Sequence, residues 1–577
     1  MKNTAVKVLL IMTIISSVFL CGLLFLLVNK GKGDKESGSR LKEYQDQYDA
    51  RVTDSKILAP KVYEDFSKLS DGEGLYDTAR HTQVYERIEA LKKTGSYTED
   101  EPLVIYNPYG INTRSLYVYF KTGKPMKMSY RISAQGSEIS TFSADCYSEE
   151  KYTTTHEYIL LGLNAEDGNR VALTLTDAEG ASCVRTFYVA AAESPNVVKS
   201  KLDMRRGISG EKLSDGLFAH FGNETGGQET VTLYDNDGML RGEILLLSGS
   251  CKRFLFFGER MYYNISDTQI AAVDRFGRAE RVYAIDGYTI GNDYCIDEGK
   301  KKLLVLASKN GEKEKGVNDR VLSVDLISGE VKELLNMGEH LKEYKAVCRK
   351  NIEDTLEWLN LNSIQVMGEN DILLGAREAS AVFKIKDVYG VPMLDYIVGE
   401  PLIFAGTGYE YQLLAKEGTF ASFFGANTVT YRKEEGMPLG MYLIDLYDNH
   451  IGGTDSRPGL DYSEMASDLG TSLKSGTSSY FCTYLVNEAN GTWSLQESVP
   501  VAYSGYAGSA QLTPSGHLIT DTAGRFSYSE FDSNRELICS YTGAGKDYLA
   551  RVFKYDFKKF YFAGQESEIP ADAVEAE

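Results

Sequence analysis

The chain has 577 residues, 43% hydrophobic and 25% charged, enough apolar material for a large core in more than one domain, and this excludes a disordered protein. Lys and Arg number 62 against 82 Asp and Glu, a formal net charge of −20, which excludes a nucleic-acid partner because a phosphate backbone demands clustered cations. With 39 Tyr, 24 Phe and 54 Gly, and helix-favouring runs confined to the N-terminal region, the composition predicts an all-β body.

In chain order, residues 1–30 come first. Between 5 and 28 the only charge is Lys7, and the apolar run is long enough to cross a bilayer as a helix. No small-x-small cleavage site follows, so the segment is predicted to be a transmembrane signal anchor that is retained. Phe19 and Leu20 stand where small residues precede a lipidated cysteine, which argues against lipidation of Cys21. Lys30, Lys32 and Lys35 outnumber Lys2 and Lys7, so charge alone favours a cytoplasmic body. Residues 31–97 hold a polar linker and two amphipathic, charge-rich stretches, SRLKEYQDQYDARV and ARHTQVYERIEALKK, predicted to form a helical stalk. The stalk reads equally as a solvated spacer or as a device for homodimerisation, and His81 on it reads as a solvated side chain.

Residues 98–195 break into short alternating segments, LVIYNPYG, SLYVYFK, KMSYRIS, EYILLGL, RVALTLTD and CVRTFYVA, separated by turn residues, and predict a β-sandwich with His156 in its core or on its surface. From 205 to 565 a strand-turn-strand unit recurs, as in VTLYDNDGMLRGEILLL, QIAAVDRFGRAERVYAI and RVLSVDLISGEVKELL. Such hairpins at intervals of roughly 40 to 60 residues predict a six-bladed β-propeller, because each blade buries its faces only against its neighbours. A β-helix or paired sandwiches are the alternatives. Residues 566–577 form an acidic tail.

Eight cysteines with no C-x-x-C pair, and histidines with no H-x-H or H-x-x-H spacing, exclude a recognisable metal motif. No P-loop or G-x-S-x-G element is present, so no cofactor is expected.

Three stretches, WLNLNSI from Trp358, GAREASAVFKI from Gly375 and FFGANTV from Phe423, resemble the active-site strands of the arylsulfate sulfotransferases, bacterial enzymes that move a sulfuryl group between phenols without a nucleotide cofactor. PLVIYNPYGIN and HEYILLGLNAEDGNRVALTL resemble the N-terminal domain of the same family, and RVFKYDFKKFYF its closing strand. The family patterns are W-x-H-x-N-S-I, S-R-H-Q, Q-H and H-H-D. Here Asn360 stands at the first histidine position, Glu378 follows the retained Arg377, Asn427 stands at the Q-H histidine, and Gly291-Asn292-Asp293 occupies the H-H-D place. The resemblance implies an exported body, hence one anchored outside the cytoplasm, and it sets the N-terminal sandwich and propeller as the expected fold.

The resemblance also implies chemistry. In the family a histidine attacks sulfur and is transiently sulfurylated, which neutral imidazole can do near neutral pH. An amide nitrogen cannot, because its lone pair is delocalised into the carbonyl, so no catalytic residue is assigned and Asn292, Asn360 and Asn427 are marked only as the positions matching the histidines. Anion binding is assigned to Arg377 with Asn292, Asn360 and Asn427, and Trp358 is included as an aromatic platform that is also a candidate for core packing. Glu378 is expected to be a poor partner for Arg377, since successive strand residues point to opposite faces. The leading expectation is a membrane-anchored sulfotransferase-like protein that binds an anionic aromatic ligand, an aryl sulfate or a phenol. An active transferase with a rearranged site and a structural propeller that binds a protein or envelope component are the two other readings.

Overall fold

The computed structural model describes residues 52–564 except 67–73, 135–140, 196–198, 223–228, 313–317, 352–353, 467, 471–475 and 544–548. The expected anchor and the first stalk stretch lie outside the described residues. No helix among the described residues is long and apolar enough to cross a membrane.

The sandwich is organised by one long strand, Ser115–Ala134, which belongs to both layers. Its first half pairs with Leu103–Tyr106 and Thr153–Leu161, and its second half with Asn169–Thr176 and Phe142–Asp145. Alternation along it sends Leu116, Val118, Phe120, Met128 and Tyr130 into the core between the layers, where they meet Leu160, Leu173 and Phe187. His156 lies in this core, stacked 4.8 Å from Phe120, and burial lowers its pKa to about 4.

A helical stalk is not what the described part of 52–97 forms. Val52–Ile57 pairs in parallel with Ser182–Val189, and Val62–Tyr63 with Leu103–Tyr106. The helix Thr78–Thr94, capped by Asp77 accepting from the Ala79 amide at 2.8 Å, buries His81, Val84 and Ile88 in a core shared with the sandwich and with the first two blades. His81 is therefore not solvated. Its Nδ1 accepts from the Ala279 amide at 2.8 Å, its Nε2 lies 3.0 Å from the Leu75 carbonyl, and burial lowers its pKa to about 4. Charged residues on the outer face of the helix hide an apolar stripe of only two or three positions, which is enough to dock it.

Six sheets follow, arranged as blades. Blade 1 runs outward as Arg551–Tyr555, Leu217–Phe221, Thr230–Tyr234 and Leu240–Leu245, so the C-terminal strand supplies its innermost position and closes the ring. Blade 2 begins with Leu255–Phe257, blade 3 with Tyr288–Asp297, blade 4 with Leu361–Met367, blade 5 with Ala426–Arg432 and blade 6 with Ser509–Leu512. Blades 5 and 6 each gain an edge strand, Ala415–Lys416 and Asp203–Arg206. A buried ion pair, Arg114 Nε to Glu243 Oε2 at 2.7 Å, ties the sandwich to blade 1, and Ser194 Oγ donates to the same carboxylate. The seven cysteines beyond Cys21 are free thiols.

Candidate functional site

The inner strands of blades 3, 4 and 5 all lose regular pairing near their N-terminal ends: between Ile290 and Tyr294, between Leu361 and Ser363, and between Asn427 and Thr430. Irregularities of this kind re-aim side chains and are common beside binding sites. They carry Asn292 and Asp293, Asn362, and Asn427. Asn360, just before its strand, takes a left-handed φ of 47°, which asparagine tolerates better than most residues. Gly291 admits nothing larger, since a Cβ there would stand 2.3 Å from Asn318 Oδ1.

The structure joins the first three of the sequence-derived residues directly. Asn292 Nδ2 donates to Asn360 Oδ1 at 2.9 Å, and the Arg377 amide donates to the Asn360 carbonyl at 3.4 Å. Arg377 Nη2 donates to the Gly505 carbonyl at 2.7 Å, and Nη1 pairs with Glu378. That pairing overturns the expectation from strand alternation. Arg377 and Glu378 occupy the turn between Asp371–Ala376 and Ala381–Lys386, closed by the Ser380 amide donating to Arg377 O, and in a turn neighbouring side chains need not diverge. Burial raises the pKa of Glu378, Arg377 opposes that rise, and Ser456 Oγ donates to its other oxygen at 3.3 Å. The guanidinium side chain is 12% exposed, and its Nε has no hydrogen-bond partner among the described residues.

Asn427 belongs to a neighbouring network of side-chain amides. Its Oδ1 accepts from Asn362 Nδ2 at 2.6 Å, while its Nδ2 donates to Asn449 Oδ1 at 2.6 Å and to the Ala507 carbonyl at 3.3 Å. Asn449 donates in turn to the Ser504 and Ala507 carbonyls at 2.7 and 2.8 Å. The loop that receives Arg377 thus also receives this network. Asn427 is buried with both ends of its amide engaged, so it fixes the backbone around the inner strands and holds no free group for a ligand.

Trp358 is no platform. It is fully buried between Tyr344 and the blade 4 core, and its Nε1 donates to Asp319 Oδ2 at 3.2 Å.

Further charged groups lie around the inner strands, and of these sequence reasoning had placed only Asp293 at a site position. Asp293 accepts from the Ile364 amide at 3.2 Å and faces Arg551 Nη1 at 3.2 Å and Arg253 Nη1 at 3.5 Å. Arg551 also donates to the Asn362 carbonyl. Asp521, fully buried beside Ser509, has its pKa pushed up to about 8 by burial, against the pull of Ser509 and Arg551. Arg551 opens the strand that resembles the family's closing strand; nothing in the spacing marked Arg253, Asn449 or Asp521.

All six histidines are described, and none sits at the bulges of blades 3 to 5. His220 is buried with no hydrogen-bond partner among the described residues and burial lowers its pKa to about 3; His340 ends a short helix, Met337–His340; His517 lies between Glu530 and Glu211. His450 comes nearest, one residue after Asn449. Burial pulls its pKa down, but Asp448 at Nδ1 and Asp468 at Nε2, each 3.1 Å away, outweigh that and raise it, so both carboxylates favour the protonated ring.

These features define a class: a sandwich-fronted six-bladed propeller whose polar groups gather where the inner strands of successive blades bulge, a usual place for a propeller's ligand site. The family model for arylsulfotransferase (ASST) matches residues 205–555, and that for the arylsulfotransferase Ig-like domain matches residues 103–193. The first match alone spans more than half of the chain, and the chain belongs to the arylsulfotransferase family. No curated protein matches it. Solved structures similar to it include one from a nidogen/laminin complex, with 8% identity and a TM-score of 0.34 over 59% of this chain and 97% of that one. The WD40 domain of Toxoplasma gondii coronin gives 7% identity and a TM-score of 0.30 over 61% and 79%, and a Lactobacillus plantarum protein 10% and 0.32 over 74% and 98%. Likeness this slight transfers no ligand and no activity.

Proposed function

We propose that this arylsulfotransferase-family propeller binds an anionic aromatic ligand, an aryl sulfate or a phenol, at Arg377, Asn360 and Asn292 without forming a sulfohistidine. Residues 5–28 hold it to a membrane with the body outside the cytoplasm. The observation that carries the reading is the absence of any histidine from the bulged inner strands, together with the engagement of Asn427 at both ends of its amide. A covalent sulfuryl acceptor needs a lone pair that this arrangement does not offer.

Binding is supported by what stays uncommitted. Arg377 Nε lacks a partner, and Asn360 uses its Oδ1 toward Asn292 while its Nδ2 has no partner among the described residues. Two N–H donors on residues joined by a backbone hydrogen bond, one of them on a cation, suit an oxyanion. Glu378 offsets the arginine charge, so the ligand competes with a carboxylate already in place.

The test is calorimetric titration of 4-nitrophenyl sulfate. The wild-type protein is expected to bind it with an affinity that falls at high salt, and Arg377→Ala to weaken binding by about 1 to 3 kcal/mol. Absence of binding in the wild type, or equal binding by the variant, removes the ligand-site reading and leaves a structural propeller.

A further inference from the structure

The cations best placed to hold an anion are not all at Arg377. Lys252 and Arg253 lie just before the innermost strand of blade 2, as Asn360 lies just before that of blade 4, and Arg551 opens the innermost strand of blade 1. Arg253 and Arg551 share one carboxylate, that of Asp293, at 3.5 and 3.2 Å. Lys252 has even less. Its Nζ donates to Ser250 Oγ at 2.8 Å and makes no ion pair among the described residues, with Asp267 acting on it only through space. Its backbone is held firmly, since the Lys252 amide donates to Asn264 Oδ1 at 3.0 Å and Asn264 Nδ2 donates to the Ser250 carbonyl at 3.0 Å.

Two of these cations thus share one carboxylate, and the third, Lys252, is near enough to Arg551 for the two charges to oppose each other. Asp521 adds no charge at neutral pH, because burial keeps its proton on up to about pH 8. Burying cations that share a single carboxylate is costly, and burial accordingly lowers the pKa of Lys252; an oxyanion bound beside them would offset that cost. The two outer cations can still reach one. Arg253 keeps 20% of its side chain exposed while its guanidinium lies 5.1 Å over the Phe553 ring, and Lys252 is half-buried with two of its three N–H donors unspent.

We propose that Lys252 and Arg253, backed by Arg551, form an oxyanion-binding site at the start of the innermost strands of blades 1 and 2, sharing no residue with the Arg377 site, that takes a sulfate or phosphate group. It goes beyond the ligand reading above and stands on different residues.

Sodium sulfate, sodium phosphate and 4-nitrophenyl sulfate titrated into the full chain, against sodium chloride at equal ionic strength, test it. Inorganic sulfate or phosphate is expected to bind wild type and Arg377→Ala alike. The double variant Lys252→Gln/Arg253→Gln is expected to lose about tenfold or more in affinity. Lys252→Gln alone is expected to lose a part of it, and because Ser250 is the one hydrogen-bond partner of that ammonium among the described residues the single variant is expected to keep its fold and decides the matter should the double variant not fold. Unchanged binding in Lys252→Gln, no anion binding in wild type, or loss confined to Arg377→Ala overturns the inference. The last outcome leaves the Arg377 reading intact, and loss confined to the Lys252 variants leaves this one.

Discussion

At the scale of single residues, Asn427 is built into the packing of the inner strands, and on the reading proposed above a single change to histidine there gives no chemistry. Asn427→His removes the acceptor for Asn362 and the donor to Asn449, both buried, and is expected to cost about 1 to 3 kcal/mol in denaturant unfolding while giving no aryl sulfate turnover. A variant as stable as wild type contradicts the network. Asp521 gives a pH signature. Its folded pKa of about 8 exceeds the ordinary 3.8, so the folded state holds a proton that the unfolded chain releases. The stability this confers is full below about 3.8 and disappears as pH rises through about 8. Melting temperature is expected to fall between pH 5 and pH 9, and Asp521→Asn to flatten that slope; an unchanged slope in the variant places the proton elsewhere. Arg377, Asn360, Asn292 and Asn427 were legible only because their strands resemble a family, and the resemblance said nothing of their partners. Glu378 was misread by applying strand alternation to a turn, and Asn449 carries no pattern because its partners, Asn427, Ser504 and Ala507, come from other parts of the chain.

At the scale of elements, the strands and hairpins were legible from period-two alternation and turn residues, whereas docking was not. A helix rich in Glu, Lys and Arg reads as solvated until its three buried positions find a surface, and nothing local in ARHTQVYERIEALKK names that surface. Val84 and Ile88 share one core with Tyr109, Met261 and Phe553, residues of the sandwich and of blades 1 and 2. Ile88→Ala is expected to cost about 2 to 5 kcal/mol and to lower the whole unfolding transition rather than a separate early one. A negligible effect on global unfolding returns the helix to the role of spacer. The bulges were equally invisible, since a displaced register is set by the partner strand.

At the scale of the whole molecule, the ring is closed by residues nearly at the end of the chain: Arg551–Tyr555 pairs with Leu217–Phe221 and places Arg551 against Asp293 of blade 3. These polar groups therefore exist together only once the ring is closed, with the amides of blades 4 and 5 joined through Asn362 to Arg551 of blade 1. On the reading proposed above, this chain keeps the propeller frame of its family and binds its ligand without forming a sulfohistidine. The direct test is intact-mass measurement of the protein after incubation with 4-nitrophenyl sulfate, with and without phenol as acceptor. The expected result is an unmodified mass and no nitrophenol release above the protein-free control, whereas a stable or phenol-discharged sulfuryl adduct would contradict the account and establish an active transferase with a rearranged site.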